Sequence, residues 1–410
     1  MELNAEILKK IGKQYGETYY ILDTEQFRKN FLELRGEFQK IYKKSNIAYS
    51  YKTNYTPRLC SIVNELGGYA EVVSDMECEI AKRIGVKPDH IAFNGPYKNK
   101  EKLEDFLLEG VNVNVDSIYE MMFVKEVALK YPEHTFEIGL RCNFDIGDGV
   151  LSRFGFDVEG EDFQKALSII RDTSNIKLKG MHSHFASRGI ETWPTRTKKM
   201  LETVQKYCDE MPEYICQGGG IFGKMAESLK AQFEGRIPDY KEYAEAVCSV
   251  YRDTYGMLPE EEQPTLFIEP GSALVGDCMK FVSKVVSIKH VRNKTIATML
   301  GSIYNINPTL NKKNPPITVY NMGEYEAKEY HNVDLGGFTC IESDYLYRNY
   351  DGKIAVGDYV VFDNVGSYSV VLKPPFILPN FAVVEIMEDK QIRLIKKQEV
   401  FDDLFHTYQF

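Results

Sequence analysis

Between residues 45 and 272, eight short apolar runs alternate with stretches whose apolar residues recur at helical spacing, and this alternation constrains the fold more than any other feature of the chain. The runs are 47–52, 69–74, 90–95, 111–117, 136–143, 176–185, 214–220 and 265–272. Segments such as 100–110 and 118–131 carry the helical spacing between them. Eight strand-then-helix units in this length match an α/β architecture, a closed (β/α)8 TIM barrel with its helices outside. An open doubly wound sheet is the other solution, but no glycine fingerprint follows the first strand. From about residue 275 the pattern changes to strand-like runs without intervening helices, at 281–291, 295–300, 317–320, 359–362, 367–372 and 381–386. These read as a C-terminal all-β domain, a sandwich or barrel. The expected division is 25–274 for the barrel and 275–410 for the β domain, to which Tyr19-Tyr20-Ile21-Leu22 from 1–24 offers an added strand. A chain of 410 residues exceeds what one hydrophobic core usually fills, in keeping with two domains.

A net charge of -10 without any lysine or arginine block argues against a polyanion surface, so nucleic acid is not an expected partner. No apolar run is long enough to cross a bilayer and no basic-then-apolar segment opens the chain, so no membrane partner and a cytoplasmic location are expected. The eight cysteines are scattered, with no Cys-x-x-Cys pair, which speaks against a disulfide framework or a structural metal site.

Barrel chemistry sits at the carboxyl ends of the strands. Here those ends carry Lys52, Ser74, Asn94-Gly95, Asp116-Ser117, Arg141-Cys142-Asn143, His182-Ser183-His184 followed by Ser187, Gly218-Gly219-Gly220, and Glu269-Pro270-Gly271. Turns favour glycine, serine and asparagine for backbone reasons, but a lysine, two histidines and a glutamate have no such excuse. A lysine where an apolar strand stops suits covalent attachment of an aldehyde. Three consecutive glycines can turn their amides toward one anion, and Ser187 can add a hydroxyl. An aldehyde and a phosphate together point to pyridoxal 5'-phosphate. His182 and His184, at i and i+2, point to one side of a strand and could instead begin a metal site. Such a site needs further ligands, and the only other histidines of the barrel region are His90 and His134. No metal is therefore expected.

Taken in order, the motifs resemble the fold-type III pyridoxal-phosphate decarboxylases, which include diaminopimelate and ornithine decarboxylases. They are Tyr51-Lys52-Thr53-Asn54, Glu71-Val72-Val73-Ser74, Asn94-Gly95-Pro96 ahead of Lys98, Ser152-Arg153-Phe154-Gly155, Gly180-Met181-His182-Ser183-His184, the glycine triplet, Glu269-Pro270-Gly271, Gly337-Phe338-Thr339-Cys340 leading to Asp344, and Gly366-Ser367-Tyr368. The resemblance implies that Lys52 is the Schiff-base lysine and that His184 stacks on the cofactor. It implies that Ser187, Gly218, Gly219, Gly220 and Tyr368 hold the phosphate, and that Glu269 keeps the pyridine nitrogen protonated. It further implies a homodimer in which Cys340 of the second subunit donates a proton. Racemases of this fold place an arginine against the nitrogen, so Glu269 favours decarboxylation.

Three departures bear on the substrate. Where common members carry an arginine after Glu-Pro-Gly, this chain has Ser272. Where an acidic residue follows the cysteine and binds the substrate's distal amino group, it has Ile341, with Glu342 one place later. Where diaminopimelate decarboxylases carry an arginine for the distal carboxylate, it has Asn307. Asp344 completes the candidate substrate contacts. Each lost charged hydrogen bond is typically worth about 1.5 to 3 kcal/mol, so the expected substrate is a non-standard amino acid, possibly conjugated or carrier-bound. Related decarboxylases of siderophore, polyamine and natural-product pathways act on amino acids joined to carboxyalkyl, citryl or carrier-protein groups. Diaminopimelate decarboxylase proper, a racemase, and a binding module that has lost catalysis are the alternatives.

Overall fold

The computed structural model of the chain describes residues 3–307 and 313–410, and it divides into two compact units. One comprises Lys29–Phe222 and Pro238–Ala273. The other comprises the stretch up to Arg28, Gly223–Ile237 and Leu274–Phe410.

The first unit is a closed parallel barrel. Its eight strands are Ser45–Ser50, Tyr69–Val72, Ile91–Phe93, Asn112–Val115, Phe136–Asn143, Ile176–His182, Tyr214–Cys216 and Thr265–Ile268. Each pairs in parallel with its sequence neighbours, and the eighth returns to the first through Leu266 opposite Ser45 and Ile268 opposite Ile47. Closure removes the sheet edges and explains why these strands read as short, nearly continuous apolar runs. The helices between them begin at side-chain caps. Ser74, Asn99, Ser117 and Asp239 each accept a backbone N–H of the first turn, which satisfies a donor with no partner inside the helix.

Several strands end sooner than their apolar runs suggest. As a result Lys52, His184, Ser187, Gly218–Gly220 and Glu269 all lie in the connections that follow strands. Lys52 occupies a single 3-10 turn, Tyr51–Thr53. The stretch from Ala186 to Met200 runs into a helix, Thr192–Tyr207, with Trp193 fully buried in its first turn. Pro194 fits there because the first turn has no intrahelical use for its missing N–H.

The second unit is built on a nine-stranded sheet. Its main path runs Tyr345–Ile354, Lys328–Gly336, Lys294–Met299, Met279–Val291, Tyr19–Leu22, Ala382–Ile386 and Ile392–Lys396, with Tyr359–Phe362 and Ile317–Tyr320 branching from Met279–Val291. Tyr19–Leu22 lies antiparallel to Met279–Val291 and parallel to Ala382–Ile386. Tyr19, Ile21, Val282, Val361 and Val384 pack with Leu8 and Ile11 of the helix Ala5–Tyr15 into one core. One expected strand is absent. Residues 367–372 form turns instead, because Tyr368 sits at φ 63°, outside the extended region, and its carbonyl accepts the Leu372 amide at 3.0 Å.

Candidate active site

The carboxyl ends of the barrel strands carry a connected set of buried polar groups centred on Glu269. This residue is 3% exposed, directly after strand eight. Its Oε1 accepts from Asn94 Nδ2 at 2.6 Å and from the Cys216 thiol at 3.1 Å. His182 Nε2 lies 3.0 Å from Oε1 and His184 Nδ1 3.7 Å from Oε2. Burial alone pushes the Glu269 pKa up, but the His182 charge and hydrogen bond, with the Lys52 charge, hold it well below the usual carboxylate range. Glu269 is thus an anion kept ionised in the interior. Cys216 is its complement: burial and the adjacent carboxylate raise its pKa well above the ordinary value, so it stays a thiol and donates.

Lys52 is the cation of the set. Its Nζ pairs with Glu71, which is buried in strand two, and lies 3.4 Å from Ser50 Oγ. Glu71 also accepts from Ser50 Oγ at 2.6 Å and Asn94 Nδ2 at 3.3 Å. Asn94 therefore bridges Glu71 and Glu269, and its own Oδ1 accepts from Asn114 Nδ2 at 2.6 Å. The lysine end and the glutamate end of the site are fixed through one amide. Arg141 closes the ring from strand five, donating to the Asn94 carbonyl at 3.0 Å and pairing with Asp116 at 3.3 Å.

His184 is 28% exposed, and its Nδ1 accepts the Gly219 amide at 3.0 Å. Desolvation lowers its pKa, so near neutral pH the ring is uncharged, with its proton on Nε2. The glycines themselves are required by space. A Cβ at Gly218 would lie 2.4 Å from the Ser183 carbonyl, at Gly219 2.5 Å from the Glu269 carbonyl, and at Gly220 2.7 Å from the Ser187 carbonyl. Gly218 and Gly220 also adopt φ of 69° and 99°. Ser187 thus lies against the glycine loop.

The barrel unit accordingly brings together Lys52, His184, Ser187, Gly218–Gly220 and Glu269, and Ser272 follows Glu269 by three residues. Cys340, Ile341, Glu342, Asp344, Asn307 and Tyr368 belong to the other unit. Cys340 is the exposed one of eight free cysteines, and Glu342 beside it is exposed too. Asp344 is 4% exposed, and both its oxygens are engaged: Ser302 Oγ and the Ile303 amide donate to one, the Thr339 hydroxyl and amide to the other. That geometry supports a role in folding the Cys340 loop rather than the substrate contact expected from the sequence. Asn307 ends the helix Ile303–Ile306, and Pro308, Thr309 and Leu310 of the same motif lie outside the described residues.

Glu71, Asn94, Cys216 and Arg141 were not assigned roles from sequence. The available signal was a charged or amide side chain inside a buried strand run, as at Tyr69-Ala70-Glu71-Val72. His182, Cys216 and Glu269 are also of metal-ligating types, with ligand atoms within 4.8 Å of one another. Cys216 and Glu269 border a cavity of about 780 Å3 that extends past Tyr69, Tyr214 and Phe267 to Lys44 and Glu213 near the strand starts.

Glu77, beside this cluster, offers a pH test. It is 4% exposed and accepts the Val73 amide at 2.7 Å, yet burial outweighs that bond and pushes its carboxyl from 4.5 up to about 7. The folded chain holds a proton on Glu77 that the unfolded chain releases, so this group's contribution to stability is greatest below pH 4.5 and is lost as pH rises through about 7. Glu77→Gln is expected to match the parent at pH 4.5 and to exceed it at pH 8 by up to about 3 kcal/mol, read from denaturant melts at both pH values.

The pyridoxal-binding domain of the pyridoxal-dependent decarboxylases matches residues 26–276. The chain belongs to that family. Its cofactor is pyridoxal phosphate, and the cluster fits it: a lysine beside a carboxylate acceptor, a glycine cradle with no room for side chains, and a buried anion facing the same strand ends. The family's diaminopimelate decarboxylases from Methanocaldococcus jannaschii and Aquifex aeolicus are 25% and 24% identical to this chain, each match covering 96% of it and 92% of the relative. The M. jannaschii enzyme's crystal structure superposes with a TM-score of 0.84 at 23% identity, covering 98% of this chain and 94% of that one. The lysine/ornithine decarboxylase of Vibrio vulnificus, solved with putrescine, gives 0.72 at 19% identity over 93% and 97%. These likenesses show the family's fold, a TIM barrel with a β domain. Among the described residues no helix is long and apolar enough to cross a membrane.

Proposed function

We propose that this pyridoxal-phosphate-dependent decarboxylase, of the diaminopimelate and ornithine type, acts on an amino acid whose distal end is not the free charged group of those substrates. The observation that carries the decarboxylase reading is Glu269, an ionised carboxylate held by Asn94, Cys216 and His182 at the barrel mouth. When bound, pyridoxal phosphate supplies a ring that takes up the electron pair left by departing carbon dioxide, provided its nitrogen stays protonated. Glu269 holds that proton by charge pairing. Lys52 would hold the aldehyde through its amine, with Glu71 placed to take the proton its ammonium must lose. His184, its plane set by the Gly219 amide, would present a neutral face to the ring.

Cys340, Ile341 and Asn307 come from the β unit and Ser272 from the barrel unit. Cys340 delivers a proton at the end of the reaction, and the homodimer implied by the family resemblance supplies it from the second subunit. Its exposure supports this, since a thiol open to solvent on its own chain has no shielded acid environment there. Ser272, Ile341 and Asn307 carry the substrate reading, because none can pair with a distal ammonium or carboxylate at the positions where family members do so. Diaminopimelate decarboxylase proper is the second reading, favoured by the names of the similar proteins.

Carbon dioxide release from a panel of free and conjugated diamino and carboxyalkyl amino acids separates the two. The expected result is turnover of a conjugated substrate with free diaminopimelate at least about tenfold poorer in kcat/KM, as one missing charged contact requires. Equal or faster turnover of free diaminopimelate would decide for the second reading.

A further inference from the structure

We propose that Arg196 is the counter-charge through which the glycine loop holds the cofactor's phosphate. The inference rests on the reading of Gly218–Gly220 as the phosphate-facing loop.

Arg196 lies in the helix Thr192–Tyr207 and is 0% exposed. Its Nη2 donates to the Gly219 carbonyl at 2.9 Å, and its guanidinium stacks on Trp193, 3.0 Å from the ring centroid. Nε and Nη1 have no hydrogen-bond partner, and among the described residues no carboxylate pairs with it. A guanidinium has five donors, and a buried one that serves packing alone ordinarily spends them on carbonyls or an acid. Desolvation lowers the pKa of this one well below the usual value, the mark of a charge waiting for a partner.

The bond to Gly219 shows on which side that partner binds. In a planar trans peptide the carbonyl and the following N–H point in opposite directions. Arg196 draws the Gly219 carbonyl toward the helix and so turns the Gly220 amide away from it. Among the described residues no backbone acceptor meets that amide. Guanidinium, carbonyl and amide proton therefore lie in a row with the positive end of the peptide dipole facing outward, which is an anion site reinforced from behind. Ser272 stands where common family members carry an arginine after Glu-Pro-Gly, and Arg196 is a buried cation supplied by another element.

The test compares wild type with R196M in the apo form, titrating each with pyridoxal phosphate and with pyridoxal, which lacks the phosphate, and melting each without ligand. R196M is expected to bind pyridoxal phosphate at least about tenfold more weakly while binding pyridoxal as wild type does, since the loss is confined to a charged contact. Its apo Tm is expected to be equal to or above that of wild type, because an uncompensated buried charge has been removed. Unchanged affinity for pyridoxal phosphate would overturn the proposal. So would equal losses for both ligands with a lowered apo Tm, which would mark Arg196 as packing only. If R196M does not fold, R196Q keeps a donor for the Gly219 carbonyl without the charge and is judged by the same ratio. A wild-type protein that binds both ligands equally would instead overturn the phosphate reading of the loop, and this inference with it.

Discussion

Lys52→Ala is expected to bind pyridoxal phosphate without the absorbance band of a lysine-linked cofactor and to lose at least ~10³-fold in carbon dioxide release. The size follows from the site. Among the described residues Lys52 is the one lysine paired with Glu71, and Glu71 is tied through Asn94 to Glu269, so no other described amine occupies the same position relative to the buried anion. The substitution also strands Glu71, but not alone: Ser50 Oγ and Asn94 Nδ2 still donate to it. The stability cost is therefore expected to be about 1 to 3 kcal/mol, the range for an imperfectly satisfied buried group, and the protein should fold. Thermal melting beside the spectrum separates loss of chemistry from loss of structure. Adding Glu71→Gln to Lys52→Ala is expected to recover part of the stability and none of the activity.

Glu269→Gln is expected to retain the lysine-linked band and to lose roughly 10²- to 10³-fold in kcat, the usual loss when a fixed charge is removed from where it stabilises the reaction. Glutamine keeps the shape but presents an amide N–H2 where Asn94 Nδ2, the Cys216 thiol and His182 Nε2 all donate, so one donor must lose its acceptor. Binding and chemistry thus separate, because Lys52 and the glycine loop are untouched. The pH behaviour should change as well. Burial opposes the Glu269 charge, yet the His182 charge and hydrogen bond, with the Lys52 charge, outweigh it and the folded pKa lies well below 4.5. Its contribution to stability is complete above pH 4.5 and disappears as pH falls through the folded value. The acid limb of the stability profile should therefore be shallower in Glu269→Gln, as pH-resolved denaturant melts would read.

The barrel and the identity of its chemistry were legible because both leave local marks. Eight buried parallel strands write eight apolar runs, and residues displaced from strand ends by chemistry stand out there as Lys52, His184 and Glu269. The β unit was less legible for a physical reason. Lys328–Gly336 and Tyr345–Ile354 are half exposed and rich in charge, and Ile392–Lys396 has no regular alternation, so none resembles a buried strand until its partner is known. Residues 367–372 alternate like a strand and are not one, since the left-handed backbone at Tyr368 interrupts extension. Within the site, Glu71, Asn94 and Cys216 matter through neighbours 19 to 175 positions away in the chain, contacts that exist only after the barrel closes. Arg196 was invisible for the same reason. Its partner is a carbonyl, which carries no side-chain signal at all.

Everything above depends on the cofactor residing on Lys52. Borohydride reduction of the wild-type protein loaded with pyridoxal phosphate, followed by peptide mass spectrometry, reads that directly. The barrel unit also has a buried lysine, Lys98, held by the Gly95 and Asn114 carbonyls and paired with Glu120 at 2.7 Å, which serves as an internal comparison. The expected result is a phosphopyridoxyl mass on the peptide containing Lys52 at near-stoichiometric yield, with the Lys98 peptide unmodified. A mark on Lys98 or on surface lysines alone, with Lys52 unmodified, would contradict the account.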